Sequence, residues 1–256
     1  MSSSFTVIIP ARLNSTRLPG KLLLPIEGKS MLRHVVDRVL MSDAKHVYVA
    51  VDDKQLAETV VGTQATPIMT SNDHSSGTDR IVEVLRTLNA DANDIVVNVQ
   101  GDEPLIPPSV VNQAAQLLID RPSLGVASLY SEISYPEEVF DPNVVKVVLN
   151  SDSNAMYFSR APIPWDRETF MEGEPTEVAS HWRRHLGIYA YRVWALQEFA
   201  SWSPSRLEQI ECLEQLRFLE NGISIVLSEV VESVSIGVDT PQDLARVREV
   251  LARRNN

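Results

Sequence analysis

TVIIPARLNSTRLPGK, running from Thr6 to Lys21, is the stretch on which the architecture of this chain turns. Thr6 to Ile9 is a short apolar run with β-branched residues, the pattern of a strand buried on both faces of a parallel sheet. Pro10 has no N–H to give a ladder, so the strand is expected to stop there. A loop of small and hydroxyl residues follows, carrying Arg12, Arg17 and Lys21, and Pro19-Gly20 forces a turn just before the last cation.

Charge gives that loop its chemistry. Residues 1–34 hold five cations and one acid, a net of +4, whereas the rest of the chain carries 18 cations and 33 acids, a net of −15. An anion is repelled by the molecule at large and drawn to one place. Arginine offers phosphate a bidentate fork, lysine a compact point charge, and backbone N–H groups of a glycine-containing loop add donors. The functional reading is a polyphosphate site; the plainer one is a solvated cationic loop. A Walker loop does not fit, because Ser15 stands where its first Gly belongs and Leu22 follows Lys21. Nor does a Gly-x-Gly-x-x-Gly follow the strand, so dinucleotide binding has no support.

Outward from this stretch, composition sets bounds. A chain of 256 residues, 44% hydrophobic and 22% charged, is ordinary for a soluble globular protein with a substantial core. The net charge of −11 argues against nucleic acid and against anionic lipid as partners. Cys212 is the only cysteine, which excludes an internal disulfide and fits a reducing compartment. Phe5 to Ala11 is too short to span a membrane and lacks the charged lead of a signal peptide, so a cytoplasmic protein is expected.

Ser30 can cap a helix to about Met41, and His46 to Val51 is the next strand, followed by a short helix and a small strand near Pro67 to Met69. Strand and helix alternate, the signature of a parallel sheet with right-handed crossovers. A polar loop, Thr70 to Asp79, leads into a helix from Thr78; it is either a solvated connection or a contact to a base or ribose. Ile95 to Val99 reads as another buried strand, with Gln100, Gly101 and Asp102 past its carboxyl end, where open α/β sheets bind ligands. Asp102 is a candidate Mg²⁺ ligand, or else a turn residue or helix-terminal cap.

Beyond Leu124 the pattern changes. Residues 125–130 and 144–149 read as strands, Tyr157 to Arg167 as a shaped loop because of its prolines, His185 to Tyr191 as a strand, and residues 168–181 as a lid or insertion. His181 and His185 are four apart, but Trp182 stands where a zinc motif needs Glu, so a hydrogen-bonding His185 is preferred. Ser205 and Glu208 have capping-box form before one long helix, with Glu208, Glu211 and Glu214 along one side of it; such a stripe ordinarily faces water. Thr240 and Pro241 open the last helix; capping explains Thr240 and Asp243 but leaves Asp239 over, a second candidate metal carboxylate. No linker divides the chain, which reads as one domain, residues 1–256, with an inserted or appended layer over roughly 125–200.

IIPAR and STRLPGK, SGT at 76–78, VNVQGDEP at 97–104, FSRAPIPWDR at 158–167, RHLGIYAYR at 184–192, LEQIECLEQLR at 207–217 and GVDTPQDL at 237–244 together closely resemble the 3-deoxy-manno-octulosonate cytidylyltransferases. These are the CMP-Kdo synthetases of bacterial lipopolysaccharide assembly. The first block is common to sugar nucleotidyltransferases, while the fourth and fifth are specific to this enzyme. The resemblance implies a three-layer Rossmann-like nucleotide-diphospho-sugar transferase fold with a mixed, mostly parallel sheet. It implies transfer of CMP from CTP to Kdo, with a related sugar acid (8-amino-Kdo or a nonulosonate) as the alternative acceptor. Carried over residue by residue, Arg12, Ser15, Arg17 and Lys21 hold the triphosphate, and Ser76, Gly77 and Gln100 lie near nucleoside or sugar. Asp102 and Asp239 bind Mg²⁺, and with Lys21 and Arg17 form the catalytic set. Arg160, Arg167, His185, Tyr189, Glu214 and Gln215, with Gln100, line the sugar-acid pocket. A homodimer is implied as well.

Overall fold

The computed structural model describes residues 4–15, 18–74, 76–171, 177–235 and 237–254. In chain order come β1 (Phe5–Ala11), a 3-10 turn (Lys21–Leu23), β2 (Pro25–Ile26), β3 (Lys29–Ser30), α1 (Met31–Val39), β4 (His46–Val51), α2 (Lys54–Val60), β5 (Thr66–Met69), α3 (Gly77–Thr87), β6 (Ile95–Asn98) and α4 (Pro108–Asp120). The second half holds β7 (Val126–Glu132), α5 (Pro136–Phe140), β8 (Lys146–Leu149), β9 (Ala155–Ser159), α6 (Arg167–Met171), β10 (Arg183–Arg192), α7 (Val193–Ser201), α8 (Arg206–Glu211), α9 (Gln215–Glu220), β11 (Ile225–Glu229) and α10 (Pro241–Arg254).

Strands run in the order β11-β7-β10-β6-β1-β4-β5, with β8 and β9 branching from β10 to complete a nine-stranded sheet. The β1–β4, β1–β6, β4–β5 and β7–β11 pairs are parallel, and β10 lies antiparallel to β6 and β7. Alternation along β1 splits the core. Val7, Ile9 and Ala11 pack with α1, α4 and α10 on one face, while Ile8 packs with α3, α7 and α9 on the other. Helices cover both faces, which gives three layers. Within 125–200, β7 and β10 run in the main sheet, whereas α5, α6 and the turn at Trp182 gather round a small cluster of their own.

Capping at Ser30 and Thr240 is as expected: Ser30 Oγ accepts from Arg33 N–H, and Thr240 and Asp243 exchange hydrogen bonds at the start of α10. The helix α3 starts one residue before the expected Thr78, where Ser76 Oγ accepts from Asp79 N–H.

Three expectations are corrected. Pro10 does not end β1, because it pairs with Ala50 within the strand. The Ile8 carbonyl accepts from Val99 N–H on the β6 side, and Pro10, two residues on, faces that same side, where the ladder has already ended at Asn98. Its missing N–H therefore breaks no bond. Tyr157 to Ser159 is not loop but part of β9, an outer strand that among the described residues pairs only with β8, so the prolines after it interrupt no ladder there. The long helix after Ser205 is two short ones, α8 and α9, divided at Cys212 in the left-handed region (φ 52°). Of residues 168–181, the first four continue α6, and 172–176 lie outside the described residues.

Candidate active site

The carboxyl ends of β1 and β6 and the start of α3 meet at a cavity of about 330 Å³. Gly101 makes the approach possible: a Cβ there would stand 3.1 Å from the Pro10 carbonyl oxygen and 3.3 Å from Leu22. The close neighbour that requires glycine is thus the protein's own backbone. Arg12, Ser15, Lys21, Ser76, Gly77, Gln100, Asp102 and Asp239 all line this cavity. Arg17 lies outside the described residues.

Lys21 is the centre of its electrostatics. Gly20, at φ +64°, turns the chain so that Lys21 Nζ donates to Asp102 Oδ2 (2.5 Å), Asp239 Oδ1 (3.0 Å) and the Val238 carbonyl (3.0 Å). A backbone bond from Val238 N–H to the Asp102 carbonyl (2.9 Å) ties the two aspartate segments together. Burial works against the ammonium charge, but the charge of Asp102 and hydrogen bonds to both aspartates outweigh it and hold the lysine pKa above its usual value. Glu103, beside Asp102, has its pKa pushed up to about 8 by burial and by that neighbouring carboxylate.

Behind the cationic loop stands a brace that sequence reading missed. Asp52, at the end of β4, accepts from Leu13 N–H (2.8 Å) and from Arg80 Nη2 (3.2 Å), and Arg80 also donates to Thr70. Arg80 is buried and lines the cavity, adding a cation beside Arg12 and Lys21. His74, also in the wall, is held through Nε2 by Glu83, which accepts in turn from Ser71 N–H. The signal for Asp52 was available, since it closes a parallel strand at the ligand-binding end. Nothing local marked Arg80, because burial of an arginine is decided by its tertiary partner.

A second cavity of about 510 Å³ shares Gly77, Gln100 and Glu214 with the first. Arg160, His185, Tyr189 and Gln215 line it, as does Asn98, which was not foreseen; Arg167, on α6, lines neither cavity. Arg160 is braced by backbone, its Nε donating to the Glu211 carbonyl (2.7 Å) and its Nη1 to the Pro142 carbonyl (2.7 Å). Behind it the buried Lys146 donates to the carbonyls of Arg160, Val144 and Asp141, and burial pulls its pKa down to about 8. His185 is held neutral, its pKa pushed down to about 3 by burial, so it is no counter-cation for a carboxylate. It lies in β10 rather than on a helix, so its spacing from His181 makes no metal pair, and among the described residues no cluster of three His, Cys, Asp or Glu side chains could hold a metal.

The three glutamates expected on one solvated stripe go three ways. Glu208 pairs with the buried Arg217 (2.5 and 2.7 Å), Glu211 accepts from Ser159 Oγ (2.6 Å) and Arg160 N–H (3.0 Å), and Glu214 accepts from Thr78 Oγ1 (2.8 Å) where the cavities meet. Burial raises the Glu214 pKa, with Thr78 opposing it.

Two compartments with a common wall suit a reaction that joins two substrates, and a phosphate-seeking loop on one of them marks the class as nucleotidyltransferase. Comparison with known proteins narrows that class: residues 6–225 match the Cytidylyltransferase family. The 3-deoxy-manno-octulosonate cytidylyltransferase of Alcanivorax borkumensis is 48% identical over 248 residues, covering 97% of this chain and 98% of that protein. Its counterpart in Pectobacterium carotovorum subsp. carotovorum is 49% identical over 251 residues, 98% of this chain and 100% of that protein. A solved structure of CMP:2-keto-3-deoxy-manno-octonic acid synthetase complexed with CTP matches with TM-score 0.88 and 44% identity, over 98% of this chain and 99% of that one. The chain belongs to the 3-deoxy-manno-octulosonate cytidylyltransferase family.

Proposed function

We propose that this chain transfers CMP from CTP to Kdo, releasing pyrophosphate and activating the sugar acid for lipopolysaccharide synthesis. The observation that carries the reading is the pair of cavities with Gly77, Gln100 and Glu214 in common, one bearing Lys21, Arg12 and Arg80, the other Arg160, His185, Tyr189 and Gln215. The first takes the triphosphate, held by Arg12, Ser15, Arg17 and Lys21, with Ser76 and Gly77 at the nucleoside. The second takes the sugar acid. Its carboxylate is met by Arg160, since His185 is neutral.

The anomeric hydroxyl oxygen bonds to the α-phosphorus, the bond from that phosphorus to the bridging oxygen breaks, and the hydroxyl proton is lost as pyrophosphate departs. Negative charge gathers on the leaving phosphates, and the protonated Lys21 with the arginines of the loop stabilises it. Holding two substrates across a common wall supplies the alignment from which such transfers gain most.

Asp102 and Asp239 fit a magnesium ion. Both reach one ammonium nitrogen, so both can face one cation, and magnesium takes one or two carboxylates completed by substrate phosphates. When bound, the ion neutralises phosphate charge.

We also propose a cytoplasmic homodimer. In its support, no helix among the described residues is long and apolar enough to cross a membrane, and Trp165, Met171 and Tyr135 expose large apolar surface around the α5–α6 cluster. A pyrophosphate-release assay with CTP, Mg²⁺ and Kdo, 8-amino-Kdo and a nonulosonate tests the substrate assignment. Fastest release with Kdo is expected, and preference for another acid would reassign the second cavity.

A further inference from the structure

In the wall of the second cavity one hydrogen-bond arrangement allows its protons to be counted. Ser128, fully buried on β7, places Oγ 3.0 Å from His185 Nε2, 2.9 Å from the Ile188 carbonyl and 3.2 Å from the Leu186 carbonyl. The bulge in β10 between Leu186 and Tyr189 is what turns both carbonyls toward the same oxygen. A hydroxyl has one proton to donate, and a carbonyl oxygen can only accept. If that proton turned to Nε2, two buried carbonyl oxygens would face bare lone pairs of the serine. It therefore goes to the carbonyl side, and Nε2 donates to Oγ, whose other lone pair is left for the hydroxyl of Tyr189, the further side chain that interacts with Ser128.

A neutral ring that carries its proton on Nε2 has a lone pair on Nδ1. Burial keeps the ring neutral. Phe158, edge-on at 4.9 Å, and Tyr189, at 5.3 Å, fix its plane. Nδ1 finds no protein partner among the described residues, yet it is not sealed in the core, and His185 lines the second cavity.

We infer that Ser128 is a positioning residue that holds His185 as the Nε2–H tautomer, so that Nδ1 accepts a hydrogen bond from a hydroxyl of the sugar acid. The inference rests on the reading of the second cavity as the sugar site. It assigns the histidine a selective task, because an acceptor aimed at one point rewards a donor there and leaves the carboxylate to the arginine side.

Nitrogen-15 NMR of the full-length protein, labelled at histidine, tests the tautomer, with His185 assigned by the signals lost in His185→Asn. The expected pattern is a protonated Nε2 and a lone-pair Nδ1 across neutral pH; an Nδ1–H ring or an imidazolium overturns the inference. In Ser128→Ala the ring exchanges between tautomers, and KM for the sugar acid rises about tenfold while KM for CTP stays unchanged, as expected for one lost hydrogen bond. An unchanged KM for the sugar acid overturns the inference even where the tautomer is as stated. His185→Asn, whose amide oxygen overlaps Nδ1, should keep more activity than His185→Gln, whose amide matches Nε2; the reverse order counts against it. If Ser128→Ala does not fold, the wild-type NMR pattern and the Asn–Gln order decide. Absence of pyrophosphate release with every sugar acid removes the sugar-site reading itself, whereas failure of the tautomer alone leaves that reading in place.

Discussion

Lys21 sits between two carboxylates that would otherwise repel each other, and charge-assisted bonds of that kind contribute about 1.5–3 kcal/mol each. Lys21→Ala should therefore raise KM for CTP and slow turnover, each by roughly tenfold or more, in steady-state kinetics; unchanged values for both would remove it from the triphosphate site. Asp102→Asn should leave the melting temperature within a few degrees yet lower Mg²⁺-dependent turnover on the order of 100-fold. Near-wild-type turnover would take Asp102 out of the metal site. His185 gives a pH signature. Its folded pKa, about 3, lies below its ordinary 6.5, so within that window the unfolded chain binds a proton that the folded one does not. Stability from this group is present above pH 6.5 and is lost as pH falls through the window. Urea melts across that range should show His185→Asn with a shallower acid loss than the wild type, and parallel slopes would contradict the assigned burial. At this scale the sequence was informative where chemistry is local. Lys21, Asp102 and Asp239 stand in short motifs, whereas Ser128 and Arg80 act through partners 57 and 28 positions away, which no local pattern announces.

Among the elements, the α8–α9 break shows how tertiary demand overrides a helical pattern. A continuous helix would send Glu208, Glu211 and Glu214 along one side; the left-handed Cys212 instead lets Glu211 reach Arg160 while Glu214 reaches Thr78. The 3.6-residue period read from the sequence was sound for each half but blind to the kink, because a non-glycine residue at positive φ has no marker of its own. Glu208 and Arg217 form a buried pair, and the Arg217 guanidinium also lies over the Phe199 ring (3.9 Å). Truncating one partner leaves a buried charge alone, so Glu208→Ala should destabilise by about 3–5 kcal/mol in denaturant melts. Glu208→Leu combined with Arg217→Met should recover most of that loss. A loss below about 1 kcal/mol in the single variant would mean that the pair is solvated.

Across the whole molecule, the sheet was legible because its central strands are apolar on both faces and helices such as α1 and α2 carry explicit side-chain caps. Thr6 to Ile9, His46 to Val51 and Ile95 to Asn98 announce themselves in this way. The antiparallel placement of β10 between β6 and β7 was not legible, since strand order depends on which buried faces meet and not on any one segment. The α5–α6 cluster round the fully buried Trp182 leaves Trp165 and Met171 exposed. Light scattering should give about twice the monomer mass at working concentration, and a monomer would contradict the proposed assembly. The account as a whole depends on the two joined cavities serving one transfer, so the most direct measurement follows pyrophosphate and CMP-sugar together from CTP, Mg²⁺ and Kdo. Equal amounts of the two products, with none when the sugar acid is omitted, are predicted. Pyrophosphate release that is indifferent to Kdo, or no release at all, would contradict it.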